Sequence, residues 1–462
     1  MDVRGKRLFA LSNEESLRRL TSPVPHPDVL RPCTLGDGVE LWSQEVLEQK
    51  VALWAADPPK GDECGLFVPA SGAATRMFSV LRGDPEKGKA LWAKRKQLAF
   101  GKEWEESLVK KGVELNGAST EDVLDALFSM FRNGQFPKGL VPFQVESAED
   151  GTPKTVSAFQ AHVHAWSELF EEPHLWFTVQ PSFQKEIEGH LAPLAVQTAS
   201  KVSFGLQHPQ TDTPALSPAG DWVKVEDGSV LKRPGGHGAL LPLLEDISAP
   251  MLVIRNIDNA PSPKRRSLHS MWTRAMVAEA RKWASERDHL VQAVKKGEPQ
   301  ALAMAWDWLK AAHAECSDAP DRLLEELQRP LRMVGVVTNE GQPGGGPFWV
   351  KVKGEDGSLH VRPQIVETSE FSEDQQAVLA QATHFNPVEM VAALSPGQPL
   401  SEFVDESRYL VVSKSIQGQP CKVLEHPGLW NGAMSGWITR FVQIPGDCFQ
   451  PVKTVLDLCG RV

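Results

Sequence analysis

The sequence predicts an α/β fold, a largely parallel sheet covered by helices. Residues 65–68 read as a short buried strand, and short strands recur at 176–179, 202–206 and 251–254. Segments of helical period alternate with them. Two further stretches, 79–133 and 264–328, are helical almost throughout. Strand signals resume after each, so both read as insertions into one core.

Taken in order, residues 1–60 show helical patterns around 12–20 and 43–55, joined by a Pro-rich stretch from 22 to 32, and read as an N-terminal helical cap. In the first insertion Phe100, Trp104 and Leu108 sit four apart. Leu124, Leu127, Phe128 and Phe131 follow at helical spacing, after a Ser119/Thr120 cap and before Asn133-Gly134. The next helix carries Phe159, Val163, Trp166 and Phe170 on one face. The second insertion shows Trp272, Met276, Ala280 and Trp283, then Leu302, Trp306 and Leu309. Strands are expected at 331–338, 348–352 and 359–366, and a second helix-plus-strand stretch to the end. The expected layout is the cap at 1–60, a core at 61–394 with its insertions, and a final part of that core at 395–462.

Composition narrows the function. The chain has 462 residues, 41% hydrophobic and 23% charged, with a net charge of −10. That charge disfavours non-specific binding to nucleic acid or to an anionic membrane. No apolar run of spanning length occurs, and the first twenty residues are too charged for a secretory leader. The six cysteines form no CxxC pair, so neither a zinc site nor a disulfide framework is indicated. A cytoplasmic protein is expected, as a monomer or small homo-oligomer.

The first strand ends in Pro69-Ala70-Ser71-Gly72-Ala73-Ala74-Thr75-Arg76-Met77. Small residues let backbone N–H groups approach phosphate oxygens, a helix N-terminus adds a favourable dipole, and Arg76 offers a planar cation. Alone, the loop reads first as a structural tight turn. Lys138 beside Pro137, taken alone, reads first as an exposed turn lysine, and Asp258 reads equally as a turn cap. Pro343-Gly-Gly-Gly346 is not followed by a helix bearing Lys-Ser/Thr, so it reads as a turn. His162 and His164 are two apart on a helix and point to different faces, which excludes a metal pair.

The loop resembles the L-x-G-G-x-G-T-R-L motif of nucleotidyltransferases that make nucleotide sugars. Their following P-K-x-L-x-P is matched by Phe136-Pro137-Lys138-Gly139-Leu140-Val141-Pro142-Phe143, displaced by the helical insertion. The resemblance continues in order with the eukaryotic-type UDP-sugar pyrophosphorylases. Trp176-Phe-Thr-Val-Gln-Pro-Ser-Phe-Gln-Lys-Glu-Ile187 is similar to their next strand and helix. Phe204-Gly-Leu-Gln207 with Asp212-Thr-Pro-Ala215 is similar to F-x-Q…P-A, and Arg233-Pro-Gly-Gly-His-Gly-Ala-Leu240 to the P-x-G-N-G-G-L-Y loop that holds uracil. Ile254-Arg-Asn-Ile-Asp-Asn259 resembles V-D-N, whose aspartate binds magnesium. Gln364-Ile-Val-Glu-Thr-Ser-Glu370 resembles V-V-E-Y-S-E, a sugar-contacting strand, and Thr383-His-Phe-Asn-Pro387 stands where an asparagine lies near the sugar. Phe449-Gln-Pro-Val-Lys-Thr-Val-Leu-Asp-Leu458 is very close to F-L-P-V-K-T-x-S-D-L, whose lysine meets the sugar phosphate. The whole arrangement looks like the bacterial family described as domain of unknown function 4301, over roughly residues 60–462.

The resemblance implies a Rossmann-like nucleotidyltransferase (GT-A-like) fold. It also implies that a sugar-1-phosphate attacks the α-phosphorus of an NTP, UTP favoured, with Mg²⁺ as cofactor and pyrophosphate leaving. Arg76, Lys138 and Lys453 would neutralise phosphates, and Asp258 would hold the metal. Ala70, Ser71, Gly72 and Thr75 would line the triphosphate, with Gln207, Gly235, Gly236, His237 and Gly238 at the base. Asn259, Glu367 and Asn386 would meet the sugar. Ser71 and Ala74 replace two glycines of the pattern, His237 replaces an asparagine, and a methyl at Ala74 is expected to narrow the approach to phosphate. The altered loop, with Ser71 and Ala74, motivates an alternative, a non-catalytic nucleotide-sugar binding or regulatory protein on the same fold.

Overall fold

The computed structural model describes residues 9–70, 72–148, 150–314, 320–341, 344–354, 357–395, 397–416 and 419–461. Ser71, Pro343 and Cys316 lie outside the described residues. The chain forms two compact units. The first comprises 1–58, 207–254 and 273–445, and the second 59–206, 255–272 and 446–462.

In the second unit, strands Cys64–Pro69, His174–Val179 and Lys201–Leu206 pair in parallel in that order. Helix Ala158–Ser167 leads into the middle strand and helix Gln184–Gln197 into the last. This is the β–α–β alternation expected from the sequence. Helix Ala158–Ser167 starts where it does because Ser157 and Gln160 close a capping box. A Cβ on Gly65 would lie 2.2 Å from the Trp176 ring, so only glycine lets these two strands stay paired. The first insertion is present as helices Pro85–Ala93, Gly101–Lys110 and Thr120–Met130. Phe131 fastens it to the core, stacking on Phe78 at 4.8 Å and meeting Phe100 edge-on at 5.1 Å. A hairpin of Pro142–Ser147 and Pro153–Ser157, not expected from the sequence, lies between the insertion and the next helix.

The first unit has a run of paired strands in the order Thr34–Leu35, Gly38–Glu40, Ile438–Gln443, Leu331–Thr338, His384–Ala393 and Met251–Ile254. The first three pairings are parallel and the last two antiparallel. Leu331 to Val337 are all buried, as a central strand requires. The second insertion appears as Arg266–Lys295, which belongs to this unit from Thr273 onward, with Ala301–Ala311 and Pro320–Leu327. An ion network of Glu40, Arg440, Glu279 and Lys50 ties helix Gln44–Ala56 and the long helix to strand Ile438–Gln443, with a Lys50–Glu279 distance of 2.6 Å. Among the described residues no helix is long and apolar enough to cross a membrane.

Two segments differ from expectation. The N-terminal part has helices Asn13–Thr21 and Gln44–Ala56, but the Pro-rich stretch between them contains the strand Asp28–Pro32, paired with Gly346–Lys353. A proline at the end of an edge strand loses no ladder bond, so the Pro-rich composition concealed a strand. After Val366 the helical part of the expected helix-plus-strand stretch is, among the described residues, only the short α-helix Gln376–Leu379. The chain forms strands Leu410–Ile416, Gln419–Glu425 and Ile438–Gln443 with single 3₁₀ turns. Leu410–Ile416 instead pairs antiparallel with Gln419–Glu425 along its whole length.

Candidate functional site

The loop after strand Cys64–Pro69 is held from beneath. Ala70 N–H donates to Thr178 Oγ1 at 3.1 Å. Ala73 and Pro137 form an isolated bridge, Lys138 N–H donates to the Gly72 carbonyl at 3.1 Å, and Ala74 N–H donates to the Phe136 carbonyl at 2.8 Å. Thr75 Oγ1 donates to the Gly134 carbonyl at 3.0 Å. The Pro137-Lys138 turn is therefore bonded directly to the Gly72–Ala74 loop across the whole helical insertion. A Cβ on Gly72 would meet nothing within 4 Å, so this side of the loop is open.

Two expectations about the loop need correcting. Ala74 is fully buried and its N–H is taken by Phe136. Its methyl thus packs inward and does not narrow the approach to a phosphate. The helix that follows, Thr75–Ser79, has only five residues, so its dipole adds little. The loop's charge comes from side chains. Arg76 is exposed and, among the described residues, its guanidinium has no partner.

Lys138 reaches Asp258, 120 residues away in sequence. Its Nζ donates to Asp258 Oδ2 at 3.0 Å, both side chains being mostly shielded. The Asp258 carbonyl accepts a bond from Val452 N–H at 2.9 Å. Asn259 is buried and clamps the same two segments. Its Nδ2 donates to the Cys448 carbonyl at 3.2 Å and its Oδ1 accepts from Gln450 N–H at 2.9 Å. Asn259 therefore acts here on the backbone that leads to Lys453. Asp457 closes a capping box with Thr454 and also accepts Lys453 N–H at 3.0 Å. Bonded contacts thus run from Gly72 through Lys138 and Asp258 to Val452, so the second unit gathers the 70–76 loop, Lys138, Asp258, Asn259 and the backbone of Lys453.

One supporting residue escaped the sequence reading. His162 is fully buried and its Nε2–H donates to the Ile257 carbonyl at 3.3 Å, just before Asp258. Burial first, and then the nearby Arg255, push its pKa down to about 3, so the ring is neutral. His164 faces elsewhere and bonds Glu146 through Nδ1 at 2.8 Å.

A metal at Asp258 would find one carboxylate. Among the described residues no group of three or more His, Cys, Asp or Glu could hold an ion. That suits Mg²⁺ better than a protein-caged metal, because Mg²⁺ keeps waters and takes substrate phosphates as ligands. Asp258 is already paired with one cation, the Lys138 ammonium.

The remaining assigned residues belong to the first unit. Gln207 Nε2 donates to Thr211 Oγ1 at 3.0 Å and to Asp212 Oδ1 at 3.2 Å. The 235–238 loop packs against 425–429. A Cβ on Gly235 would lie 2.4 Å from the His426 ring, and one on Gly238 would lie 1.8 Å from the Pro427 carbonyl. Gly236 has φ +82°, which favours glycine in any case. His237 Nδ1 accepts Leu429 N–H at 2.9 Å. Packing at 235 and 238 and the positive φ at 236 thus account for these glycines without a ligand. Thr211 joins this loop to Gln207, since its carbonyl bonds His426 Nε2 at 2.7 Å. Glu367 caps a 3₁₀ turn with Glu370. Glu370 in turn is buried against Arg408 at 2.7 Å and accepts Asn431 Nδ2 at 2.7 Å. Asn386 stands in strand His384–Ala393, and its side chain lies outside what is described.

Comparison with known proteins agrees with this architecture. The chain is similar to the UDP-N-acetylglucosamine pyrophosphorylase of Trypanosoma brucei. The match has 13% identity and a TM-score of 0.51, and it covers 98% of this chain and 73% of that one. A UDP-glucose pyrophosphorylase of Leishmania major matches at 12% identity and TM-score 0.45, over 98% of this chain and 71% of that one. The Trypanosoma match shows a shared nucleotidyltransferase fold, the mostly parallel α/β architecture expected from the sequence. Among curated proteins none matches by sequence. The model of a family described as Domain of unknown function (DUF4301) matches residues 4–461, and the chain belongs to that family.

Proposed function

We propose that this chain is a nucleotidyltransferase that joins an NTP, UTP by preference, to a sugar-1-phosphate and releases pyrophosphate. The observation that carries the reading is the Lys138–Asp258 pair at 3.0 Å, bonded on one side to the Gly72 loop and on the other to the segment of Lys453. Four sequence segments with the cations and carboxylate needed for phosphoryl chemistry converge there. Nucleotidyl transfer asks a protein mainly to position phosphates and neutralise their charge.

Each residue has a role in this reading. Arg76 and the open face of Gly72 receive the triphosphate. Lys138 neutralises the α-phosphate, and Lys453 the sugar phosphate. Asp258 would hold Mg²⁺, which supplies charge neutralisation on the phosphates when bound. Asn259 and His162 hold the loops bearing Asp258 and Lys453 in place. In the first unit, Gln207 and the 235–238 loop are the candidates for base recognition, and Glu367 and Asn386 for the sugar.

A binding-only reading has one specific motive, the commitment of Ala74 N–H to Phe136, which leaves the loop one donor fewer for phosphate. Turnover separates the two. Purified protein with Mg²⁺, each NTP and a panel of sugar-1-phosphates is expected to release pyrophosphate, most rapidly with UTP. UDP-sugar binding without any pyrophosphate release would favour the binding-only reading.

A further inference from the structure

A cavity of about 440 Å³ opens in the second unit beside the 449–461 segment. None of the residues assigned above to nucleotide, sugar or metal lines it. Three cations do: Lys264, Arg265 and Arg461. Arg265 is shared with Asp447 at 2.5 Å. The other two have no carboxylate within ion-pair reach among the described residues. Arg461 gives its terminal nitrogens only to neutral acceptors, the Gln450 carbonyl at 3.0 Å, the Ala260 carbonyl at 2.7 Å and Gln144 Oε1 at 3.4 Å. Its Nε is buried and has no acceptor. The one acid in the lining, Asp457, is spent on Lys453 N–H and on the N–H and hydroxyl of Thr454.

We propose that this cavity is a separate binding site for a small phosphorylated compound. Two guanidinium forks and an ammonium in one cavity match the several oxygens and the charge of a phosphate monoester. Phe449, Pro451 and Pro263 offer an apolar wall for the organic part. Burial, and then Arg265 nearby, push the Arg461 pKa down to about 10, the mark of a cation short of compensating charge that a bound anion would supply. The site does not depend on the proposed reaction.

Titration calorimetry and thermal shift with sodium phosphate and with phenyl phosphate, at constant ionic strength, test it on the full chain. Both ligands are expected to stabilise the protein, phenyl phosphate the more strongly. Lys264→Gln, at an exposed position, should weaken the affinity roughly fivefold, the loss of one charge-assisted contact, without changing the ligand-free Tm. Arg461→Gln should weaken it further. The double variant Arg76→Ala/Lys138→Ala should keep a response, because it alters only the loop site. No stabilisation of the full chain would overturn the proposal. So would a response lost in the Arg76/Lys138 variant but intact in Lys264→Gln, since the phosphate would then bind the loop alone.

Discussion

Two small-residue loops look alike in this sequence and differ in three dimensions. The 70–75 loop is open at Gly72, where an added Cβ would meet nothing within 4 Å. The 235–238 loop is closed by its own protein, with His426 and Pro427 against Gly235 and Gly238. A run of glycines in a sequence records that something comes close to the backbone. It does not say whether that is a ligand or another stretch of chain. The open loop is therefore the stronger candidate for ligand contact, and the closed one has a sufficient structural reason for its glycines.

Four measurements would break or sharpen that contrast. The largest effect is expected at the open loop's charged partners. Lys138→Ala or Lys453→Ala should cost about 3–4 kcal/mol of barrier, a hundredfold or more in turnover, and full activity in either would remove the proposed site. Next comes the closed loop. Gly238→Ala would put a methyl against the Pro427 carbonyl and should destabilise the protein by about 2–3 kcal/mol in denaturant unfolding. Unchanged stability there would mean that the 425–429 segment yields easily.

The third prediction concerns pH. His162 has a folded pKa near 3 against an ordinary 6.5, so the unfolded chain binds a proton that the folded chain refuses. Its contribution to stability is complete above about pH 6.5. It is lost as pH falls, by about 1.4 kcal/mol per unit at most, until pH approaches 3. His269, held well below its usual value by burial, by Arg255 and by His162, acts in the same direction. His162→Gln should therefore flatten the acid limb of a stability–pH curve by about one proton while leaving the slope due to His269. An unchanged slope would show that His162 is protonated in the fold. The smallest effect is expected for Gly72→Ala. Stability should stay within about 0.5 kcal/mol, while nucleotide affinity falls because the methyl occupies the open face. A large stability loss would show that the loop is closed as well.

Much of the fold was legible because burial leaves a local mark. Strand Met251–Ile254 is a continuous apolar run, Leu331–Thr338 is apolar apart from Arg332, Gly335 and Thr338, and Ser157 with Gln160 announces a helix start. The hairpin Pro142–Ser147/Pro153–Ser157 was not legible, since the outer residues of both strands are polar or exposed. In the candidate site, Lys138, Asp258 and Lys453 stood out only through motif resemblance. Nothing local indicates that Lys138 and Asp258, 120 residues apart, share a hydrogen bond. The work of Asn259 and His162 was hidden for a related reason. Both bond to backbone carbonyls, and a backbone partner leaves no trace in residue identity.

The Lys138–Asp258 pair has a consequence for the order of events. While it stands, the Asp258 carboxylate is already balanced by an ammonium, and a free divalent ion would have to displace it. On the proposed reading, metal alone should bind weakly and compete with the lysine. On that reading the phosphate oxygens of a metal–nucleotide chelate would take over Lys138, and Asp258 would be free to hold the metal. Metal and triphosphate would then enter as one ligand, and the resting ion pair would keep stray cations out between turnovers.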